Sequence, residues 1–119
     1  MRIKEQNYSK GRAGEAEARS YLEGKGYKFI EANFGVDIGE IDLIMTKDNW
    51  LVFVEVKYKS DDFMGKPEEM VTPAKLSQVR RVAEIYLLKN PQIKKKYEKF
   101  RIDAVCILGK ELKHYENLY

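Results

Sequence analysis

Two β-rich runs, Glu40 to Lys47 and Trp50 to Lys59, are separated only by Asp48 and Asn49, and this spacing constrains the chain more than any other feature of its sequence. Asp and Asn tolerate the positive φ of a tight hairpin, and a two-residue turn fixes the register. Lys47 then faces Trp50, Thr46 faces Leu51, and Asp42 falls opposite Glu55. Alternation along each strand sorts the side chains onto two faces. One face is apolar throughout, with Ile41, Leu43, Met45, Val52, Val54 and Val56. The other is apolar at Ile44, Leu51 and Phe53 and charged at one end, where Glu40, Asp42, Glu55 and Lys57 gather.

Two helices and three further strands are expected around this hairpin. Ala13, Ala16, Ala18, Tyr21 and Leu22 recur at helical spacing between Ser9 and Gly26, and a short strand follows from Tyr27 to Phe34. Gly35 and Gly39 bracket a turn. Ser60 to Val71, with Gly65 and Pro67, reads as a long loop. Thr72 and Pro73 suit a helix cap and first turn, and the periodicity of Leu76, Val79, Val82, Ala83, Tyr86 and Leu87 carries that helix toward Asn90 and Pro91. Ile93 to Lys99 reads as a lysine-rich connector. Phe100 to Leu108 and Leu112 to Leu118 read as two last strands joined at Gly109 and Lys110. The order α-β-β-β-α-β-β, with a helix between the third and fourth strands, predicts a right-handed parallel crossover in a mixed sheet, hence an α/β fold.

With 119 residues and 44% apolar content, the chain is expected to form a single domain spanning residues 1–119. Its 22 basic and 19 acidic residues leave only +3, which does not by itself select nucleic acid as a partner. One cysteine, Cys106, excludes an intrachain disulfide. One histidine, His114, leaves too few soft ligands for structural zinc, so any metal must sit on oxygens. The polar stretch Met1 to Lys10 and the lack of an apolar run of roughly 18 residues predict a cytoplasmic protein with neither signal peptide nor membrane anchor.

Two carboxylates opposed across a ladder repel, and a cation between them relieves the cost. Mg²⁺ or Mn²⁺ suits such oxygen ligands, polarises a phosphoryl oxygen and acidifies a bound water. Lys57 returns to the same face two residues after Glu55, where it can orient that water or neutralise charge developing on a phosphate. The same residues also fit a solvated, mutually paired hairpin end in which Glu40 faces Lys57. Spacing alone does not separate the two readings.

The motifs Gly14-Glu15, Gly39-Glu40-Ile41-Asp42-Leu43-Ile44 and Phe53-Val54-Glu55-Val56-Lys57 recur with Gly65-Lys66-Pro67, Thr72-Pro73-Ala74-Lys75, Arg101-Ile102-Asp103 and His114-Tyr115-Glu116-Asn117. Together they resemble the YraN-like family of small uncharacterised proteins, which is similar to archaeal Holliday junction resolvases within the PD-(D/E)XK nuclease superfamily. The resemblance implies a restriction-endonuclease-like core and a DNA endonuclease, with branched DNA as a candidate substrate. It implies Mg²⁺ or Mn²⁺ held by Asp42, Glu55 and the Val56 carbonyl with support from Glu15, and Lys57 as the motif lysine. Relatives also place polar residues of the second helix near the scissile phosphate, which makes Lys75 and Gln78 candidate nucleic-acid contacts beside Lys59 and Arg101. Departures are the Phe34 to Asp37 stretch, where an arginine often follows the residue matching Asn33, and Lys59 where arginine is common.

A second reading keeps the fold and the acidic pocket but makes the chain a nucleic-acid-binding or partner-binding module with little or no turnover. A third gives it a role in assembly with another protein. Symmetric junction cleavage would need a homodimer. The basic run Lys89, Lys94, Lys95, Lys96, Lys99 and Arg101 reads as a charged connector or a backbone-tracking segment, and His114 has no nucleophile partner at a suggestive spacing.

Overall fold

In the computed structural model, which describes residues 2–60 and 65–118, β-branched and aromatic runs form five strands. They are β1 (Lys28–Val36), β2 (Gly39–Lys47), β3 (Trp50–Lys59), β4 (Lys99–Leu108) and β5 (Glu111–Tyr115), hydrogen-bonded in that order into one sheet. Every neighbouring pair is antiparallel except β3 with β4, which run parallel. Helix α1 (Arg2–Gly24) precedes the sheet, and α2 (Pro73–Lys89) and α3 (Pro91–Lys96) form the crossover between β3 and β4. This is a mixed α/β arrangement of a five-stranded sheet flanked by helices.

The hairpin register is the expected one, with Lys47 opposite Trp50 and Leu43 opposite Val54. Asp48 adopts φ 55°, the left-handed conformation its turn requires. Each face of the sheet carries its own core. Ala18 and Leu22 of α1 bury Leu43, Met45, Val52 and Val54, together with Val105 and Ile107 of β4. Val79, Val82, Ala83 and Tyr86 of α2 bury Ile44, Leu51 and Phe53 on the opposite face, and the Tyr86 ring lies edge-on to Phe34 and Phe53 at 5.0 and 5.8 Å.

One residue breaks the expected alternation. Ile41, expected on the face of Leu43, packs instead with Ile44 against α2. Its partner Phe34 does the same, while Ala32 and Leu43 remain with α1. Between these levels lies Asn33 at φ 56°, so β1 and β2 turn over together as they leave the sheet.

Other boundaries moved for local reasons. α1 begins well before Ser9, because residues with good helix propensity but no apolar repeat extend it. The expected connector Ile93 to Lys99 is mostly α3: Pro91 starts it, and the Asn90 carbonyl accepts from Lys94 N at 3.1 Å. Six residues with a single apolar anchor, Ile93, leave no readable period. β5 ends at Tyr115 rather than Leu118, since Asn117 at φ 55° turns the chain back and Leu118 N donates to Ile102 O at 2.8 Å. Within the expected long loop, residues 61–64 lie outside the described residues, and Pro67–Met70 forms a 3₁₀ turn whose Met70 packs on Ala104 and Cys106.

Candidate active site

The β2–β3 ladder stops at Leu43 and Val54, one step short of the expected Asp42–Glu55 pair. Beyond that point β2 peels away with β1, and the Asp42 side chain replaces the missing ladder bond: its Oδ2 accepts the Val56 N–H at 2.7 Å. Carbonyl and amide of one strand residue point to the same edge, so the Val56 carbonyl also faces the gap beside Asp42. The expected neighbourhood is present, assembled through a side chain rather than a backbone pair.

Glu55 is 3% exposed. Its Oε2 lies 3.5 Å from Lys57 Nζ and 3.6 Å from Lys75 Nζ, so α2 delivers a second ammonium to the same carboxylate. Thr72 fixes the start of that helix by accepting Lys75 N–H at 3.1 Å, as the sequence predicted. Glu55 Oε1 is buried without a hydrogen-bond partner among the described residues. Burial first, and then repulsion from Glu55, push the Asp42 carboxyl up to about 7, against the pull of the Val56 N–H. Burial and the neighbouring Glu55 therefore favour the protonated form of Asp42 more than in a free carboxyl.

A buried carboxylate, a half-buried one and a main-chain carbonyl form a hard, oxygen-only donor set, and a carboxylate oxygen without a hydrogen-bond partner is what such a set offers a divalent ion. Asp42, Glu55 and the Val56 carbonyl thus fit Mg²⁺ or Mn²⁺. Glu15 is less directly placed. Its neighbour Gly14 lies against Tyr58 and Ile107, at the same end of β3 but in the α1 layer, across the sheet from Lys75. Among the described residues no three His, Cys, Asp or Glu side chains converge on one point, so Glu15 does not complete a three-carboxylate set.

Other candidates disperse. Lys59 ends β3, exposed, two residues beyond Lys57. Gln78 gives its amide N–H to the Ile38 carbonyl and clamps the β1–β2 turn to α2; an added Cβ on Gly39 would lie 2.8 Å from its Nε2. Glu40 pairs with Gly35 in the β1–β2 ladder rather than facing Lys57, but stays near enough to Asp42 for its charge to help push that carboxyl up.

Arg101 lies three residues before the β4 partner of Glu55 and is drawn inward. Its side chain is 10% exposed, bonds Asp103 Oδ1 at 3.0 Å and donates to the Tyr27 hydroxyl. Asp103, fully buried, is the hub of a network that sequence reasoning missed. It accepts the Asn117 N–H at 3.0 Å and meets His114 Nε2 at 2.8 Å, and the Tyr27 hydroxyl lies 3.2 Å away. An ammonium has only donors, so Lys25 Nζ, 3.2 Å from His114 Nδ1, makes that nitrogen the acceptor and leaves Nε2–H to face Asp103. Burial pushes Asp103 up, but His114, the Asn117 amide and Arg101 together hold it below the usual carboxylate range. The signal for this cluster was present in the Arg101–Asp103 and His114–Asn117 motifs, whose members meet only through the β4–β5 hairpin.

A family model described as "Uncharacterised protein family UPF0102" matches residues 14–107, a span that runs from the second half of α1 to nearly the end of β4. The chain belongs to this family. UPF0102 relatives similar over nearly their whole length include a protein of Cytophaga hutchinsonii, 43% identical over 108 residues, 90% of this chain and 91% of that one. A second, from Syntrophomonas wolfei, is 41% identical over 102 residues, 86% of each chain. A third, from Thermodesulfovibrio yellowstonii, is 38% identical over 109 residues, 92% of this chain and 94% of that one. All three carry only the UPF0102 family designation, so the family is the YraN-like one and its activity has to be argued from the site. The matched span contains Glu15, Asp42, Glu55, Lys57 and Lys75, and stops short of His114.

Proposed function

We propose that this UPF0102 protein is a divalent-metal-dependent endonuclease of restriction-endonuclease-like fold that hydrolyses phosphodiester bonds in DNA. The observation that carries the reading is the half-buried Asp42 beside the buried Glu55 at the splayed end of the β2–β3 hairpin, with Glu55 Oε1 lacking a hydrogen-bond partner among the described residues and the Asp42 carboxyl pushed up to about 7. Such a pair is costly unless a cation is its working partner. Asp42, Glu55 and the Val56 carbonyl would hold Mg²⁺ or Mn²⁺, which supplies Lewis-acid polarisation of the phosphate and an acidified water.

The chain's own residues do the rest. Asp42 stays anchored to the Val56 N–H and so keeps its second oxygen directed toward the gap. Lys57 and Lys75 shift from Glu55 toward a phosphate entering the site, where their ammonium groups offset charge that grows on the equatorial oxygens during attack. Proton transfer to the leaving oxygen is available from either ammonium or from solvent, since this end of the sheet is open.

The test is cleavage of labelled single-stranded, duplex and four-way-junction DNA with Mg²⁺ or Mn²⁺. Cutting should require the metal, stop in EDTA, and fall by roughly 10²-fold or more in Asp42→Ala, Glu55→Ala and Lys57→Ala. A folded wild type that cuts none of the three substrates with either metal would sink the reading.

One observation favours a second reading. Two lysines already share one oxygen of Glu55, so the pair is partly neutralised without a metal, as a retained electrostatic cluster in a binding module would be. That module would bind nucleic acid or a protein partner without turnover, and it predicts no stabilisation of the wild type by Mg²⁺ or Mn²⁺.

A further inference from the structure

Charge in this chain is segregated by layer. Residues 73–96, which contain α2 and α3, hold seven basic residues against the single acid Glu84, a local +6; the whole chain is +3, so everything else together carries −3. The modest total conceals a strongly basic layer on a mildly acidic body.

The basic groups lie away from the core stripe of their helix. Val79, Val82, Ala83 and Tyr86 are buried, whereas Arg80, Arg81 and Lys89 are exposed and Lys75 stands half-buried at Glu55. α3 adds Lys94, Lys95 and Lys96, all exposed, on a turn held to the core by Ile93. Position along the sheet is fixed at both ends. Lys75 touches the acidic pair, and Lys96 with Tyr97 shares a polar pocket of about 400 Å³ with Asp48 and Asn49 of the β2–β3 turn. The row therefore runs from the acidic pair to the far tip of the hairpin. The 17 residues of α2 alone cover about 25 Å at ~1.5 Å each.

Arg80 pairs with Glu84 at 3.9 Å, and compensation of a helix dipole accounts for a lysine in a last turn, but neither accounts for Arg81 in mid-helix or for as many as three lysines in the last turn of a six-residue helix. We propose that α2 and α3 form a phosphate-backbone track for double-stranded nucleic acid leading away from the acidic pair. A length of about 25 Å matches some seven base-pair steps at ~3.4 Å. An anionic lipid surface fits less well. An interfacial helix carries a broad apolar face outward, and in this layer Leu88 is the large apolar side chain that stands clear of the core, at 76% exposure. The direction of the track rests on the nuclease reading; the binding does not.

The experiment measures binding of the full chain to a fluorescent duplex of about 20 base pairs in EDTA, across roughly 50 to 200 mM salt. Each phosphate contact contributes about 0.9 to the slope of log affinity against log salt. Lys94→Gln/Lys95→Gln/Lys96→Gln should make that slope shallower by about 2 to 3 and weaken low-salt binding by at least about tenfold. Lys110→Gln/Lys113→Gln, which removes exposed charge at the β4–β5 hairpin, should leave both unchanged. An unchanged slope in the α3 variant overturns the track, and so does an equal loss per charge in the two variants. Binding of the wild type to phosphatidylserine vesicles but not to duplex overturns it in favour of a membrane surface. Salt-dependent binding carried by α3 in a protein that cuts nothing keeps the track while the nuclease reading falls. Metal-dependent cutting with an unchanged α3 slope does the reverse.

Discussion

Asp42 sets the pH behaviour of the site at the scale of one residue. Its carboxyl ionises near 3.8 in an unfolded chain but is pushed up to about 7 in the fold, by burial first and Glu55 second. Its contribution to stability is therefore fully present below about pH 4 and is lost as pH rises through 7. Thermal melts should show stability declining across that window in the wild type, and Asp42→Asn should flatten the decline. Above pH 7, Mg²⁺ or Mn²⁺ should raise the melting temperature of the wild type by occupying the ionised pair, with no such gain in Asp42→Asn. A melting temperature indifferent to both metals at pH 8 would remove the metal from the site. Asp103 has the opposite sign: held below the usual range, its contribution is present above about pH 4 and lost as pH falls through its folded value. Acid unfolding should thus begin at this carboxylate, not at the candidate active site.

Two polar features decide how the elements are joined. Asp103 ties β4 to the start of β1 through Tyr27 and Arg101, and to the chain after β5 through His114 and Asn117. Asp103→Ala would leave the Arg101 guanidinium with only the Tyr27 hydroxyl and the more exposed Glu116 carboxylate, 3.7 Å away, and would orphan the Asn117 N–H, so it should cost about 3 kcal/mol, the low end for a broken buried pair, read as a large shift in the urea midpoint. A loss under about 1 kcal/mol would mean that the network is peripheral. Tyr86 makes the contrasting case. Its ring joins α2 to Phe34 and Phe53, but its hydroxyl is buried without a hydrogen-bond partner among the described residues. Tyr86→Phe keeps the ring contacts and removes an unpaired polar atom, so stability should be unchanged or rise by up to about 1 kcal/mol. A clear loss in the same denaturation experiment would show that the hydroxyl has a partner.

At the scale of the whole molecule, one sheet serves both cores, and the parallel β3–β4 contact closes only after α2 has returned across it. Unfolding should therefore be one cooperative event. Fluorescence of the sole tryptophan, Trp50, and far-UV circular dichroism should report the same denaturant midpoint; separated midpoints would mean that the two layers unfold independently. Local chemistry sufficed for the hairpin, because Asp48 and Asn49 admit the tight turn and the turn fixes every pair from Lys47–Trp50 to Leu43–Val54. It sufficed likewise for the Thr72–Pro73 helix start and for the neighbourhood of Asp42, Glu55 and Lys57, all within reach of a few residues along one strand pair. It did not suffice where position depends on groups far apart in the chain. The turnover of β1 and β2 at Asn33 and the arrival of Lys75 on Glu55 have no local signal, and the motifs that hold Arg101 and His114 do not say by themselves that both meet at Asp103. The competing local conformations are close in energy, and burial against a distant layer chooses among them.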